Sequence, residues 1–236
     1  MSSLHDRVVD SLGREIVHGT ISPGTIMLAE NLEQRYGVSR SVIREALRVL
    51  QSLGLIESVK RLGIRVRGLE RWNVLDPIVV RWRLAGPDQG AQLRSLTELR
   101  ETVEPAAAAL AAQHAHREAA DTLVELAAAM RTAGEAGDRT LFSALDIDFH
   151  RTVLRASGNE MFARLDEAIG EVIRGRTVHG MMPEHPAEIT LARHEEVARA
   201  IAQGRATDAR EAMETIMQRT SRELDPIWED SPRHFL

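Results

Sequence analysis

The chain has no cysteine, one lysine (Lys60) and no apolar run near the roughly 20 residues of a bilayer span. The lack of cysteine excludes a disulfide scaffold and a thiol nucleophile. Met1 to Asp10 lack the apolar stretch of a secretory signal. A Gly-x-Ser-x-Gly elbow, a phosphate-binding glycine loop and an HExxH helix are all missing. These absences point to a soluble, cytoplasmic chain without a familiar catalytic motif. At 236 residues, with 43% apolar and 28% charged residues, the composition fits one large or two modest globular domains. It excludes collagen-like and extensively disordered chains.

The net charge of −5 is unevenly spread. Residues 1–70 carry ten Arg/Lys against eight Asp/Glu, a balance of +2, and residues 71–236 carry −7. The asymmetry suggests two jobs on one chain. Arginine suits phosphate and base-edge contacts, but it is abundant throughout, so its frequency alone carries no assignment.

Leu4, Val8, Leu12, Ile16 and Val17 recur at helical spacing, and His18-Gly19 with Ser22-Pro23-Gly24 end that helix. A second helix fits Ala29–Tyr36, stopped by Gly37. Ser39 is placed to cap a third helix with its hydroxyl. That helix carries Val42, Ile43, Ala46, Leu47 and Leu50 on its buried side and is closed by Gly54. Two short alternating runs, residues 55–59 and 64–67, flank a Gly-containing turn and read as a β-hairpin. Three helices and a hairpin make a winged helix-turn-helix, in which one helix enters the major groove of double-stranded DNA and the hairpin reaches the adjacent backbone or minor groove. The candidate DNA-binding residues are Arg40, Ser41, Arg44 and Arg48 on the third helix, with Lys60, Arg61, Gly63 and Arg65 in the wing. Arg40 and Arg44 lie one turn apart on one face.

Residues 71–236 show no strand pattern. Apolar residues recur every three or four positions near 74–85, 90–115, 119–134, 140–156, 160–178, 187–203 and 206–224, with Gly and Pro punctuation between most of these segments. The expected fold is mainly α: a winged helix-turn-helix over residues 1–70, then an all-α antiparallel bundle of six or seven helices over 71–236. Pro105 predicts a kink or a break in the second of these segments.

The stretch Tyr36-Gly-Val-Ser-Arg-Ser-Val-Ile-Arg-Glu-Ala-Leu-Arg-Val-Leu-Gln-Ser-Leu-Gly-Leu-Ile56 resembles the GntR family of bacterial transcription regulators. The remainder resembles its FadR-type branch with an FCD effector domain. That resemblance rests on Leu99-Arg100-Glu101-Thr-Val-Glu104-Pro105, Asp146-Ile-Asp-Phe-His150, Gly158-Asn159 and His194-Glu-Glu-Val-Ala-Arg-Ala-Ile201. Trp72-Asn73-Val-Leu75-Asp76, Val80-Arg-Trp82 and Glu98 to Pro105 are similar to regulators of galactonate and gluconate catabolism. The resemblance implies a homodimer on operator DNA, with a small carboxylate effector, a sugar acid first, relieving repression. Two departures stand out. Glu30 occupies the place of a DNA-touching arginine of the second helix, and Ile216 the place of a fourth metal-binding histidine.

Asp146 and His150, four residues apart on one helix, share a face with about 6 Å between them, so an oxygen and a nitrogen can converge on one ion. His194, on a later helix, can supply a third ligand. This donor set suits a divalent metal, Zn²⁺ first, with Ni²⁺, Mn²⁺ and Fe²⁺ as alternatives. Leu145, Ile147, Phe149, Val153 and Leu154 make the helix largely buried, where an unpaired aspartate is costly. His179 and His185 read as loop histidines. Arg100 is the expected clamp for the effector's carboxylate, against the simpler reading of an ion pair with Glu104. Two other functions stay open: a regulator responding to a dicarboxylate or fatty-acid derivative, and a metal-dependent enzyme with an appended winged helix. The basic helix argues against the enzyme, and no catalytic residue is expected.

Overall fold

The structure, a computed structural model, describes residues 3–234, which fall into two compact units. One unit runs to Gln89 and includes Arg233 and His234; the other is Gly90–Pro232.

The first unit opens with α1 (Leu4–Val17), α2 (Ala29–Tyr36) and α3 (Arg40–Ser52). A capping box starts α1: the Ser3 hydroxyl accepts from the Asp6 N–H, and the Asp6 carboxylate accepts from the Ser3 N–H. Val8, Leu12 and Ile16 of α1 share one core with Ile43, Ala46 and Leu50 of α3. Each fully buried Leu or Ile contributes about 1.5–3 kcal/mol. Gly37 ends α2 in the left-handed conformation. Beyond α3, Gly54 has φ 76°, and a Cβ there would lie 2.1 Å from the Arg71 carbonyl oxygen. Both the dihedral and the space demand glycine.

The expected hairpin is present as β2 (Ile56–Val59) and β3 (Gly63–Val66), with Glu57 opposite Arg65. A third strand, β1 (Ile26–Met27), pairs antiparallel with the other edge of β3, giving the order β1-β3-β2. Two residues are too short to alternate, so β1 left no trace in the hydropathy pattern.

The packing unit extends beyond residue 70, the expected edge of this domain. Asp76 caps α4 (Pro77–Leu84) by accepting from the Ile78 N–H at 3.0 Å, with Pro77 in the first turn. Buried Trp82 donates its indole N–H to Asp10 on α1 at 2.8 Å, and Val79 and Trp82 join the N-terminal core. An amphipathic helix can pack on either side of a boundary. The partner of Trp82, 72 residues away in sequence, decides the side here.

The second unit contains α5 (Gln89–His114, from Gly90), α6 (Arg117–Glu135), α7 (Arg139–Ala156), the single-turn α8 (Glu160–Ala163), α9 (Asp166–Val178), α10 (Glu188–Ala202) and α11 (Ala206–Trp228). The expected segment 160–178 is divided at Arg164–Leu165. Pro105 does not break α5. It is buried together with Ala107, Ala108 and Ala109 just after it, and packing around the helix outweighs the loss of one backbone donor. α7 packs against α6 and α9, and α10 against α6 and α11. Ala108, Ala111, Leu123, Ala127, Phe149, Val153, Val197 and Met213 belong to their common core. Among the described residues no helix is long and apolar enough to cross a membrane.

Candidate functional site

The N-terminal unit presents the predicted basic residues on its surface. Arg40, Ser41, Arg44, Arg48, Lys60, Arg61 and Arg65 are exposed and Gly63 is half-buried. Arg40 and Arg44 make no ion pair with any described residue, whereas Arg48 holds Glu45 at 2.8 Å and Arg65 holds Glu57 at 2.6 Å. The Arg65 hydrogen bond lowers the Glu57 pKa. Ser39 stands at the N-cap of α3, but its hydroxyl meets the Ser41 hydroxyl at 2.9 Å instead of a backbone N–H. With no capping bond and no acidic residue in its first turn, the start of α3 keeps its backbone donors and partial positive charge available. Gly63 has a structural reason to be glycine: at φ 115°, its Cβ would lie 2.5 Å from the Met27 carbonyl oxygen across the β1–β3 pair. Glu30 is exposed in the first turn of α2.

In the helical unit the structure brings Asp146, His150 and His194 together, all buried. The Nε2 atoms of both histidines lie 3.3 Å from Asp146 Oδ1, and one donor atom from each residue falls within 4.8 Å of the others. Proton placement explains the cluster. His194 Nδ1 is 2.8 Å from the Thr190 carbonyl oxygen, which can only accept, so that nitrogen carries the proton and Nε2 presents a lone pair. His194 Nε2 is fully enclosed and has no aligned hydrogen-bond partner. His150 turns Nδ1 to the Glu104 carboxylate and Nε2 to Asp146. Two imidazole nitrogens and a carboxylate oxygen thus face one another with few protons between them. Such a cluster needs a cation, either an extra proton on an imidazole or a metal ion. With metal–ligand bonds near 2.1 Å, neighbouring donors lie about 3.0 Å apart in an octahedron and about 3.4 Å in a tetrahedron, so the two 3.3 Å contacts to Asp146 fit a divalent ion. Glu104 and the Thr190 carbonyl would then orient the two imidazoles from behind.

Glu104 is fully buried on α5, one turn from Arg100, whose Nε donates to it at 2.5 Å. The simpler reading of Arg100 as an ion-pair partner is therefore present in the structure, and the guanidinium also lines the cavity beside the triad. Burial pushes the Glu104 carboxyl up, but Arg100 and His150 outweigh it and hold the pKa at about 2. Burial likewise opposes ionisation of Asp146, but the neighbouring His150 outweighs it and holds the carboxyl well below the usual carboxylate range. Burial lowers the His150 pKa, while Glu104 and Asp146 raise it to about 9.

The cavity encloses about 40 Å³ beside these groups. That is room for a few waters. Its walls include Arg100, Phe142, Arg176, Thr190, Ile216, Arg219, Thr220 and Glu223, together with Met182, Pro183 and Pro186 from the irregular segment between α9 and α10. Ile216 stands in this wall, so the position of the missing fourth ligand is spatially adjacent and apolar. His179 and His185 do not join the triad, and His185 Nδ1 instead approaches the Gly134 carbonyl at 3.3 Å.

Sequence reasoning missed Arg176 and the support of His150 by Glu104. Arg176 had a legible signal, because it continues the apolar stripe Ile169, Val172, Ile173 at helical spacing, where a charge is unexpected. Thr190 lies one turn before His194, so its carbonyl was also within reach.

A winged helix with a free basic helix start, followed by an all-helical unit, is the architecture of a DNA-binding transcription regulator. Residues 4–66 match the bacterial regulatory proteins of the gntR family and residues 95–219 match the FCD domain. The chain belongs to this family of GntR regulators with an FCD domain; its members are transcription regulators, not enzymes. It is 32% identical over 227 residues to the galactonate operon transcriptional repressor of Escherichia coli K12, spanning 94% of this chain and 97% of the relative. Among solved structures, the Listeria monocytogenes regulator Lar aligns with a TM-score of 0.64 at 18% identity, over 96% of this chain and 99% of that one. A Streptococcus agalactiae GntR protein aligns with a TM-score of 0.51 at 23% identity, over 92% and 99%. These two show a shared fold.

Proposed function

We propose that this chain is a cytoplasmic homodimeric repressor of sugar-acid catabolic genes, released from its operator by a small carboxylate bound beside a divalent metal in the helical unit. The observation that carries the reading is the convergence of the two histidine Nε2 atoms and Asp146 in a cavity that also holds the Arg100 guanidinium. Asp146, His150 and His194 would hold the ion, zinc first. The ion would supply open positions for a carboxylate oxygen and a neighbouring hydroxyl. Arg100 supplies a planar fork for the same carboxylate. The similarity to the galactonate operon repressor favours a sugar acid over a fatty-acid derivative, and so does the charged cavity wall. A six-carbon acid is larger than this volume, so its binding calls for the cavity to widen. The segment with Met182, Pro183 and Pro186 lacks helical hydrogen bonds and is the wall that yields.

The test is operator release. Galactonate or gluconate is expected to free the metal-loaded protein from an operator selected out of random DNA. A complete switch from 1:99 to 99:1 needs about 5.5 kcal/mol of preference for the low-affinity state. Arg100→Lys keeps a charge beside Glu104 but loses the fork, and should need far more acid. Operator complexes that ignore every sugar acid would overturn the reading.

On the DNA side, Arg40 and Arg44 are the proposed readers, with Ser41 and Arg48 beside them and Lys60, Arg61, Gly63 and Arg65 supporting from the wing. The uncapped start of α3 suits a phosphate. Two tethered heads on a short pseudo-palindrome gain through effective concentration, which motivates the dimer. Alanine at Arg40 or Arg44 is expected to cost about 1–3 kcal/mol of operator affinity if the arginine reads guanine, and chiefly to flatten the salt dependence if it meets phosphate. Titrations at several salt concentrations separate the two roles. Parent-like affinity and salt slope in both variants would remove them from the interface.

A further inference from the structure

We infer that the effector is a dianion, with its second anionic group held by Arg176 in the cavity beside the metal-ligand triad. The inference deepens the effector reading above and rests on it. Arg176 is only 5% exposed, yet its side chain lines the cavity. Among the described residues its ion-pair partner is Glu223, at 3.3 Å from a terminal nitrogen, and Arg219 Nε shares that carboxylate at 2.9 Å. Arg176 Nε is enclosed and has no aligned acceptor among the described residues. A guanidinium has five donors, and a buried one that finds a single shared carboxylate is under-satisfied. Burial first and the like charge of Arg100 next disfavour the charged form of Arg176, and Asp146 and Glu223 offset them only in part.

The charges around the cavity point the same way. Three arginines (Arg100, Arg176, Arg219) line the cavity with two carboxylates, Asp146 and Glu223, and Glu104 pairs with Arg100. Asp146 neutralises one of the two charges a divalent ion would bring. Two positive charges then remain over the site as a whole. A monocarboxylate cancels one of them and leaves the other uncompensated. The hydroxyls of an aldonate satisfy donors but cancel no charge. A carboxylate or a phosphate at the far end of the acid does both.

The experiment is a calorimetric titration of the zinc-loaded full chain with gluconate, glucarate and phosphogluconate, with galactonate and galactarate run in parallel as epimers. At least one dianion is expected to bind about tenfold or more tightly than its monoanionic counterpart. A lead for the aldarate identifies the second group as a carboxylate, and a lead for the phosphorylated acid identifies it as a phosphate. Arg176→Gln should shrink the preference to within about threefold, and Arg176→Lys should retain most of it. Circular dichroism and zinc content report whether each variant is folded, and the ranking in the parent protein decides the matter even if Arg176→Gln is not. Monoanions that bind as tightly as the dianions overturn this inference and leave the sugar-acid reading standing. A preference that survives intact in folded Arg176→Gln overturns the role of Arg176. Binding by none of the acids overturns the sugar-acid reading and this inference together.

Discussion

Replacing Glu104 with alanine is expected to destabilise the helical unit by about 3–5 kcal/mol, the usual cost of breaking a buried ion pair from one side. The Glu104 side chain is completely buried and serves two partners, Arg100 Nε at 2.5 Å and His150 Nδ1. Its removal leaves the Arg100 guanidinium, only 2% exposed, without its counter-charge, and frees the imidazole that it orients. Glu104→Gln separates charge from shape: it keeps the volume and should lose less. The pH dependence gives a second readout. The Glu104 pKa is depressed to about 2 in the folded protein from an ordinary value of 4.5. Its contribution is therefore present above the unfolded pKa and lost as pH falls from about 5 towards 2. Glu104→Gln should lack that acid-induced loss. Denaturant titrations at pH 7 and pH 4 measure both effects. A Glu104→Ala protein within about 0.5 kcal/mol of the parent would show that the pair contributes no stability.

The features legible in the sequence were those whose cause is local. Gly37 and Gly54 end helices because only a left-handed residue closes them there, and Ala29–Tyr36 emerges with the expected bounds. The i,i+4 spacing of Asp146 and His150 put two donors on one face of α7 before any tertiary contact was known. The features that needed coordinates depend on distant partners. Trp82 assigns α4 to the N-terminal unit through Asp10 on α1. β1 exists because β3 offers it an edge. Ser39 had the right residue type and position for a cap, but a second serine two residues on took its hydroxyl. Arg100 shows the limit most clearly. Its i+4 neighbour predicted an ion pair and the family resemblance predicted a cavity group, and one guanidinium occupies both positions.

Loading the triad with zinc is expected to raise the melting temperature of the helical unit by about 10 °C, and alanine at Asp146, His150 or His194 to abolish most of that gain. A ligand at a thousand times its Kd stabilises the native state by about 4 kcal/mol. For a domain of this size that corresponds to roughly 2–4 °C per kcal/mol. The pH dependence distinguishes metal from proton as the cation of the cluster. Without metal, His150 has a pKa raised to about 9: burial opposes the charge, but Glu104 and Asp146 outweigh it. A proton bound this way stabilises fully below the unfolded value of 6.5, and the benefit is lost as pH rises through about 9. The ion must displace that proton, so apparent zinc affinity should rise about tenfold per pH unit from 7 towards 9 and then level off. Metal-free protein therefore loses this contribution as the solution becomes alkaline, while the zinc-induced shift grows over the same range. Zinc, nickel and manganese titrations followed by thermal melting at pH 6, 7 and 8 measure both trends. If none of these ions shifts the melting temperature at any pH, and His194→Ala melts as the parent does in their presence, the cluster is a protonated polar core and binds no metal.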